Sequence, residues 1–168
     1  DGLSDILLSG HNNPGNGITR IYRNNGDNNF TWQESIVLTG VSESSVSWGD
    51  IDNDGFSDIL VRGWGGTRLY RNNGDNTFTE LSVTNWRGAS WGSSSWGDYD
   101  NDGWLDLLLT GDVSTYVYSN NRTGSFSEVT NVVLDQVWQG SGSWGDFDND
   151  GYSDILLSGY ISNTSITK

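Results

Sequence analysis

The sequence says one thing three times. "SWGDIDNDGFSDILVRG" (Ser47–Gly63) returns as "SWGDYDNDGWLDLLLTG" (Ser95–Gly111) and as "SWGDFDNDGYSDILLSG" (Ser143–Gly159). Trp48, Trp96 and Trp144 are therefore spaced by 48 residues and again by 48. A second phrase keeps the same step: "RIYRNNGDNNFTWQ" (Arg20–Gln33), "RLYRNNGDNTFTEL" (Arg68–Leu81) and, more weakly, "YVYSNNRTGSFSEV" (Tyr116–Val129). A fixed period in the forties is the mark of a repeat architecture, and this constrains the fold more than any composition does.

Each period reads as four short strands parted by turn signals such as "DNDG", "GWGG" and "NNGDN". In the second unit the strands are expected over roughly 45–49, 57–62, 67–71 and 77–83. The second strand, "DILV", "DLLL" or "DILL", is continuously apolar, as a strand buried on both faces should be. With 23 Gly and a single Pro, turns and strands are favoured and helical periodicity is weak throughout. Four antiparallel strands per unit at this period describe the blade of a β-propeller. A β-solenoid is the alternative, but its repeats are usually shorter. The expected fold is all-β, with blade units at 1–43 (partial), 44–91, 92–139 and 140–168 (partial).

The strand count is three, four, four and three, or about three and a half blades. Propellers close with about four to eight blades. One chain alone leaves two open sheet edges, which invite pairing. Two chains supply strands for seven blades, so a homodimer closing a ring is the expected partner. The two end pieces both carry a second and a third strand, however, and do not simply interlock. The chain opens on "DGLSDILLSG", the second half of the repeated phrase, and so reads as a piece of something longer.

The net charge of −14 has a definite location. Twelve aspartates lie in the three full motifs, and Asp1 and Asp5 lie in the N-terminal half motif. These are 14 of the 22 acidic residues, and the remaining eight match the eight Lys and Arg. The acidity thus belongs to particular loops. With no basic stripe, nucleic acid is not an expected partner. No apolar run approaches the ~18 residues of a membrane helix, so membrane insertion is not expected. Cysteine is absent, which excludes disulfides and thiolate metal sites.

Within each motif Asp50, Asp52, Asp54 and Asp58 stand at loop positions 1, 3, 5 and 9, with Gly55 at position 6. Odd spacing in a tight loop turns alternate carboxylates toward one centre. The backbone carbonyl of Phe56 at position 7 can add another oxygen. Four carboxylates this close would resist ionising together without a cation. A set of hard oxygens suits Ca²⁺, whereas Mg²⁺ tolerates an all-protein cage poorly. The matching sets are Asp98, Asp100, Asp102, Asp106 with the Trp104 carbonyl, and Asp146, Asp148, Asp150, Asp154 with the Tyr152 carbonyl. Asp1 and Asp5 correspond to positions 5 and 9 of a partial fourth loop. An EF-hand would need a Glu at position 12 and flanking helices; Val61, Leu109 and Leu157 stand there instead. The alternative to a metal is an Asp-rich turn held by its own hydrogen bonds.

"GDIDNDGFSDILV" followed by "LYRNNGDNTFTEL" resembles the FG-GAP or VCBS repeat of integrin-α-type β-propellers, and the resemblance runs over essentially the whole chain. It implies a calcium loop between the first two strands of each blade. It also implies an extracellular setting, secreted or at a cell surface, with adhesion or scaffolding as the role.

Strand alternation places the calcium loops at one end of the blades. Residues that vary between units gather at the other: Trp64, Tyr160, His11 and Asp112 in one connection, Trp91 and Trp138 in the next. The recurring Trp48, Trp96 and Trp144 read as wedges between blades, and Trp86 reads as core. Trp64, Trp91, Trp138 and Tyr160 are candidates for a ligand face, glycan or protein, although packing between loops or chains would also explain them. His11 is the only histidine, and no P-loop, nucleophile elbow or zinc motif is present. Catalysis is therefore not expected. The alternatives are a propeller lectin and a fragment of a polysaccharide-degrading propeller enzyme.

Overall fold

The computed structural model describes residues 2–12, 15–83, 86, 90–161 and 164–167. These residues form fourteen strands and, among them, no helix. The first sheet holds β1 (Ile6–Asn12), β2 (Asn16–Asn24) and β3 (Phe30–Trp32). The second holds β4 (Ser42–Gly49), β5 (Asp58–Trp64), β6 (Gly66–Asn72) and β7 (Phe78–Leu81). The third holds β8 (Ser94–Gly97), β9 (Asp106–Thr110), β10 (Thr115–Asn120) and β11 (Phe126–Glu128). The last holds β12 (Trp138–Gly145), β13 (Asp154–Ile161) and β14 (Thr164–Thr167). Every pairing is antiparallel between sequence neighbours. The four sheets are thus up-and-down blades, and the three, four, four, three strand count agrees with the sequence. Strands β4 and β12 begin a few residues before the expected unit boundaries, at Ser42 and Trp138.

Among the described residues the first sheet has the order β1-β2-β3, with no counterpart of β4, β8 and β12. The last sheet has no fourth strand among the described residues.

Packing between blades explains why the second strand must be apolar on both faces. Ile59, Leu60 and Val61 of β5 are fully buried, as are Leu107, Leu108 and Leu109 of β9. Ile59 and Val61 turn back toward Ile21 of the first blade and share a core with Val41 and Tyr70. Leu60 turns forward and joins Ile51 and Leu69 against Leu107, Leu109 and Tyr118 of the third blade. Alternation along one strand therefore serves two interfaces. The terminal blades show the converse. Leu156 occupies the place of Leu60 but is 56% exposed, and Ile6 and Leu8 occupy the places of Ile59 and Val61 but are each 43% exposed.

The repeated "WG" pair forms the joint. A Cβ built on Gly49 would lie 2.8 Å from the Trp96 ring, and one on Gly97 would lie 2.5 Å from the Trp144 ring. Each glycine is bare so that the next blade's indole can lie on its backbone. Trp144 also donates from Nε1 to the Ser95 carbonyl at 3.1 Å and stacks on Tyr99. Trp96 and Trp144 are therefore inter-blade wedges, Trp48 packs against the cluster that holds Ile21, and Trp86 packs in the core beside Tyr118 and Phe126.

Substituting Gly97→Ala should drive a methyl into the Trp144 ring. The expected cost is about 1–3 kcal/mol of unfolding free energy, read from denaturant melts. A melt equal to that of the parent would show that the joint yields freely.

Candidate metal centres and the opposite face

Each repeated loop closes on itself in the same way. In the first, Asp50 accepts from the backbone N–H of Asp54 (3.1 Å) and of Gly55 (2.9 Å). In the second, Asp98 accepts from Asp102 (2.9 Å) and Gly103 (2.9 Å). In the third, Asp146 accepts from Asp150 (3.1 Å) and Gly151 (2.9 Å). Gly55, with φ of 88°, supplies the left-handed turn that the spacing requires.

Position 9 reaches further. Asp58 is buried and accepts from Ile51 N–H (2.9 Å) and Asn72 N–H (2.7 Å). Asp106 accepts from Tyr99 N–H (3.2 Å) and Asn120 N–H (2.9 Å). One carboxylate thus ties the loop to the third strand of its own blade. Asp5 repeats half of this, accepting from Asn24 N–H at 2.8 Å. Asp1 lies outside the described residues.

The structure brings positions 1, 3 and 9 together. Asp50, Asp52 and Asp58, then Asp98, Asp100 and Asp106, then Asp146, Asp148 and Asp154 each place ligand oxygens within 4.8 Å of one another. Position 5 is close by, with Asp54 acting electrostatically on Asp52 and Asp58, and Asp102 on Asp106. Asp54, Asp102 and Asp150 each accept from the N–H two residues on, at Phe56 (2.8 Å), Trp104 (2.9 Å) and Tyr152 (2.8 Å). Asp102 also pairs with Arg122 at 2.5 Å, which holds its carboxyl below the usual range. Arg122 stands where the second unit has Gly74, so nothing in the repeated motif announces it.

Two observations test whether a divalent cation fits. The Asp52 Oδ1 is buried with no hydrogen-bond partner among the described residues. An orphaned carboxylate oxygen needs either a proton or a metal. The electrostatics agree. Burial pushes the Asp58 and Asp106 carboxyls up to about 6, against the lowering effect of their backbone donors, and neighbouring aspartates push the same way. Asp52 is raised by burial first and then by Asp54 and Asp50. The donor set is all hard oxygen, so Ca²⁺ is the cation whose chemistry matches.

The loops are also linked to one another. Asn53 donates to the Gly103 carbonyl at 3.0 Å, and Asn101 donates to the Gly151 carbonyl at 2.7 Å.

Strand register separates the two ends of each blade. Gly49 faces Asp58 at the aspartate end of β4–β5, and Ser42 faces Trp64 at the other end. In the last blade Gly145 faces Asp154, and Trp138 faces Tyr160. Trp138 and Tyr160 form a tilted ring pair with centroids 6.5 Å apart. Trp64 is 68% exposed, and Trp91 is also exposed. Asp112 accepts from Ser90 N–H and Oγ–H, so it fixes the connection that carries Trp91. His11 is exposed.

The residue that sequence reading missed here is Arg62. It is 1% exposed and donates to the backbone carbonyls of Ser93 (3.1 Å) and Thr110, binding the second blade to the third. Burial lowers its guanidinium to about 10, partly offset by Asp112. The other units have Ser9, Thr110 and Ser158 at this place, and only that departure from the repeat could have flagged it.

Comparison with known proteins follows this geometry. The family model described as an FG-GAP-like repeat matches three times, over residues 1–61, 50–109 and 98–157. None of the curated proteins gives a match. Among solved structures, the chain is similar to a lectin from Agrocybe aegerita, described as specifically recognising non-reducing terminal N-acetylglucosamine. The TM-score is 0.58 at 22% identity, covering 91% of this chain and 46% of that one. At that identity the likeness is one of fold: an all-β partial propeller spanning about half of its neighbour.

The raised carboxyls give a pH signature. Asp58 and Asp106 bind protons more tightly folded than unfolded. The metal-free protein should therefore be most stable in acid and lose stability as pH rises from about 4 through about 6. Saturating Ca²⁺ should flatten or reverse that slope. Melting temperatures of metal-stripped and calcium-loaded protein across this window check it, and parallel slopes would refute it.

Proposed function

The chain belongs to the FG-GAP-like repeat family, and on that premise we propose that it is a calcium-stabilised, non-catalytic β-propeller module that works outside the cell as a binding or adhesion scaffold. The observation that carries the metal reading is the threefold recurrence of one carboxylate geometry, with a buried oxygen of Asp52 that has nothing else to bind. The ion would be held by Asp50, Asp52 and Asp58 and by their counterparts, with further oxygens from the Phe56, Trp104 and Tyr152 carbonyls or from water. Bound there, it neutralises the clustered charge and fixes the first-to-second-strand hairpin of each blade.

The opposite end of the blades supports a second reading, a carbohydrate-binding one. Exposed Trp64 and Trp91 and the Trp138–Tyr160 pair offer flat apolar surfaces, and Ser90, bonded to Asp112, adds polar groups next to Trp91. The similar lectin lends this reading a fold that can serve it. The sequence has one histidine, His11, and so no repeated acid–base pair that uses it, and turnover is not part of the proposal.

Two measurements test these readings. A ligand that binds only the folded state stabilises by RT ln(1 + [L]/Kd), about 2.7 kcal/mol at a hundredfold excess over Kd. Calcium should therefore raise the melting temperature and a chelator should lower it, while Asp52→Asn should remove one ion of three by titration calorimetry. An unchanged melt in chelator sinks the metal reading. A glycan array should show binding that Trp138→Ala and Tyr160→Ala both weaken, and a blank array removes the lectin reading while leaving the scaffold one.

A further inference from the structure

The third blade departs from the repeat at one place beside its aspartate loop. Where β2, β6 and β10 end, the chain makes the same turn three times: an asparagine side-chain oxygen accepts from the N–H two residues on. Asn24 accepts from Gly26 (2.9 Å), Asn72 from Gly74 (3.0 Å) and Asn120 from Arg122 (2.8 Å). The donors have φ of 79°, 77° and 61°. Glycine is at ease in this left-handed region, and a side chain is strained there. The third blade thus sets an arginine where the other two set the residue that suits the backbone best. In the second blade the space is closed as well, since a Cβ on Gly74 would lie 2.8 Å from the Phe56 ring.

The arginine side chain reaches the aspartate loop of its own blade. Arg122 Nε and Nη2 donate to Asp102 Oδ2 at 3.2 and 2.5 Å, while Asp102 Oδ1 accepts from Trp104 N–H at 2.9 Å. Both oxygens of the position-5 carboxylate are therefore engaged. In the second blade Asp54 Oδ1 makes the same backbone bond, to Phe56 N–H at 2.8 Å, and among the described residues no arginine donates to Asp54. Arg71 acts on the second-blade loop only at a distance, as the weakest of the influences on Asp52, and the third blade has Ser119 in its place. The guanidinium of Arg122 opposes a divalent cation in two ways. It holds an oxygen that could otherwise turn to the ion or to its water, and it sets a positive charge beside the cluster of Asp98, Asp100 and Asp106. Asp100 of that cluster acts on the guanidinium electrostatically as well.

We propose that Arg122 lowers the affinity of the third-blade loop for Ca²⁺, so that the second-blade loop fills first. The inference rests on the calcium reading above and gives it an order. The late-filling loop is not isolated. Asp106 accepts from Asn120 N–H at 2.9 Å, and Asn120 Nδ2 donates to the Ile51 carbonyl of the second blade at 2.8 Å. Its filling therefore bears on the joint between these two blades, at a calcium concentration above the one that loads the second-blade loop.

The test is a calorimetric calcium titration of the full 168-residue chain at low salt. Two variants assign the sites: Asp52→Asn should remove a tighter class and Asp100→Asn a weaker one. Arg122→Gly should tighten the weaker class about threefold to tenfold and leave the tighter class unchanged. Arg122→Gln keeps a long side chain in the same turn without its charge, and should tighten that class too. The Arg122 side chain is 55% exposed, so the gain should shrink as salt rises. Equal affinities at the Asp52 and Asp100 sites, or a weaker class that Arg122→Gly leaves unaltered, overturn this inference while the calcium reading stands. Tightening by Arg122→Gly but not by Arg122→Gln assigns the effect to the backbone and overturns it likewise. A parent chain that takes up no calcium overturns both.

Discussion

The two four-stranded blades each turn on one buried carboxylate. Asp58 and Asp106 each accept two backbone N–H groups, one from the aspartate loop and one from the end of the third strand. That pair of bonds fixes where the loop begins relative to the sheet, and it places the residue after the first aspartate against the neighbouring blade. It also removes the carboxylate from water, which raises its proton affinity and makes a cation welcome beside it. Local loop chemistry, blade packing and metal preference are thus set by the same side chain.

Much of this was legible beforehand. The period fixed the strand count, and the continuous apolar "DILV" and "DLLL" runs marked strands that pack on both sides, which Leu60 and its neighbours Ile59 and Val61 then do toward opposite blades. The aspartate spacing marked the loops. It did not show which backbone N–H groups each carboxylate accepts from, because spacing alone does not fix the loop's hydrogen bonds. Asp54, Asp102 and Asp150 each accept from the N–H two residues on, and Asp100 and Asp148 do the same.

What the repeat hid is what departs from it. Arg62 replaces a small hydroxyl residue and spans to the third blade through backbone carbonyls. Arg122 replaces a glycine and donates to Asp102 Oδ2. Both are invisible to a pattern built from what the units share: Arg62 makes the second-to-third interface individual, and Arg122 does the same for the third blade's own aspartate loop. The aromatic end is individual for the same reason: Trp64, Trp91, Trp138 and Tyr160 obey no common consensus, which leaves that end free to differ from blade to blade.

The glycine that accepts the neighbour's indole and the indole itself are adjacent residues of one strand. Every unit therefore inherits both halves of the joint together. A gene that duplicates or deletes a whole unit leaves each remaining glycine opposite a tryptophan, with no compensating change required elsewhere. Arrays of this kind can change their number of units by recombination alone, and their sequences can drift at the outer loops while the hinge of each unit stays the same.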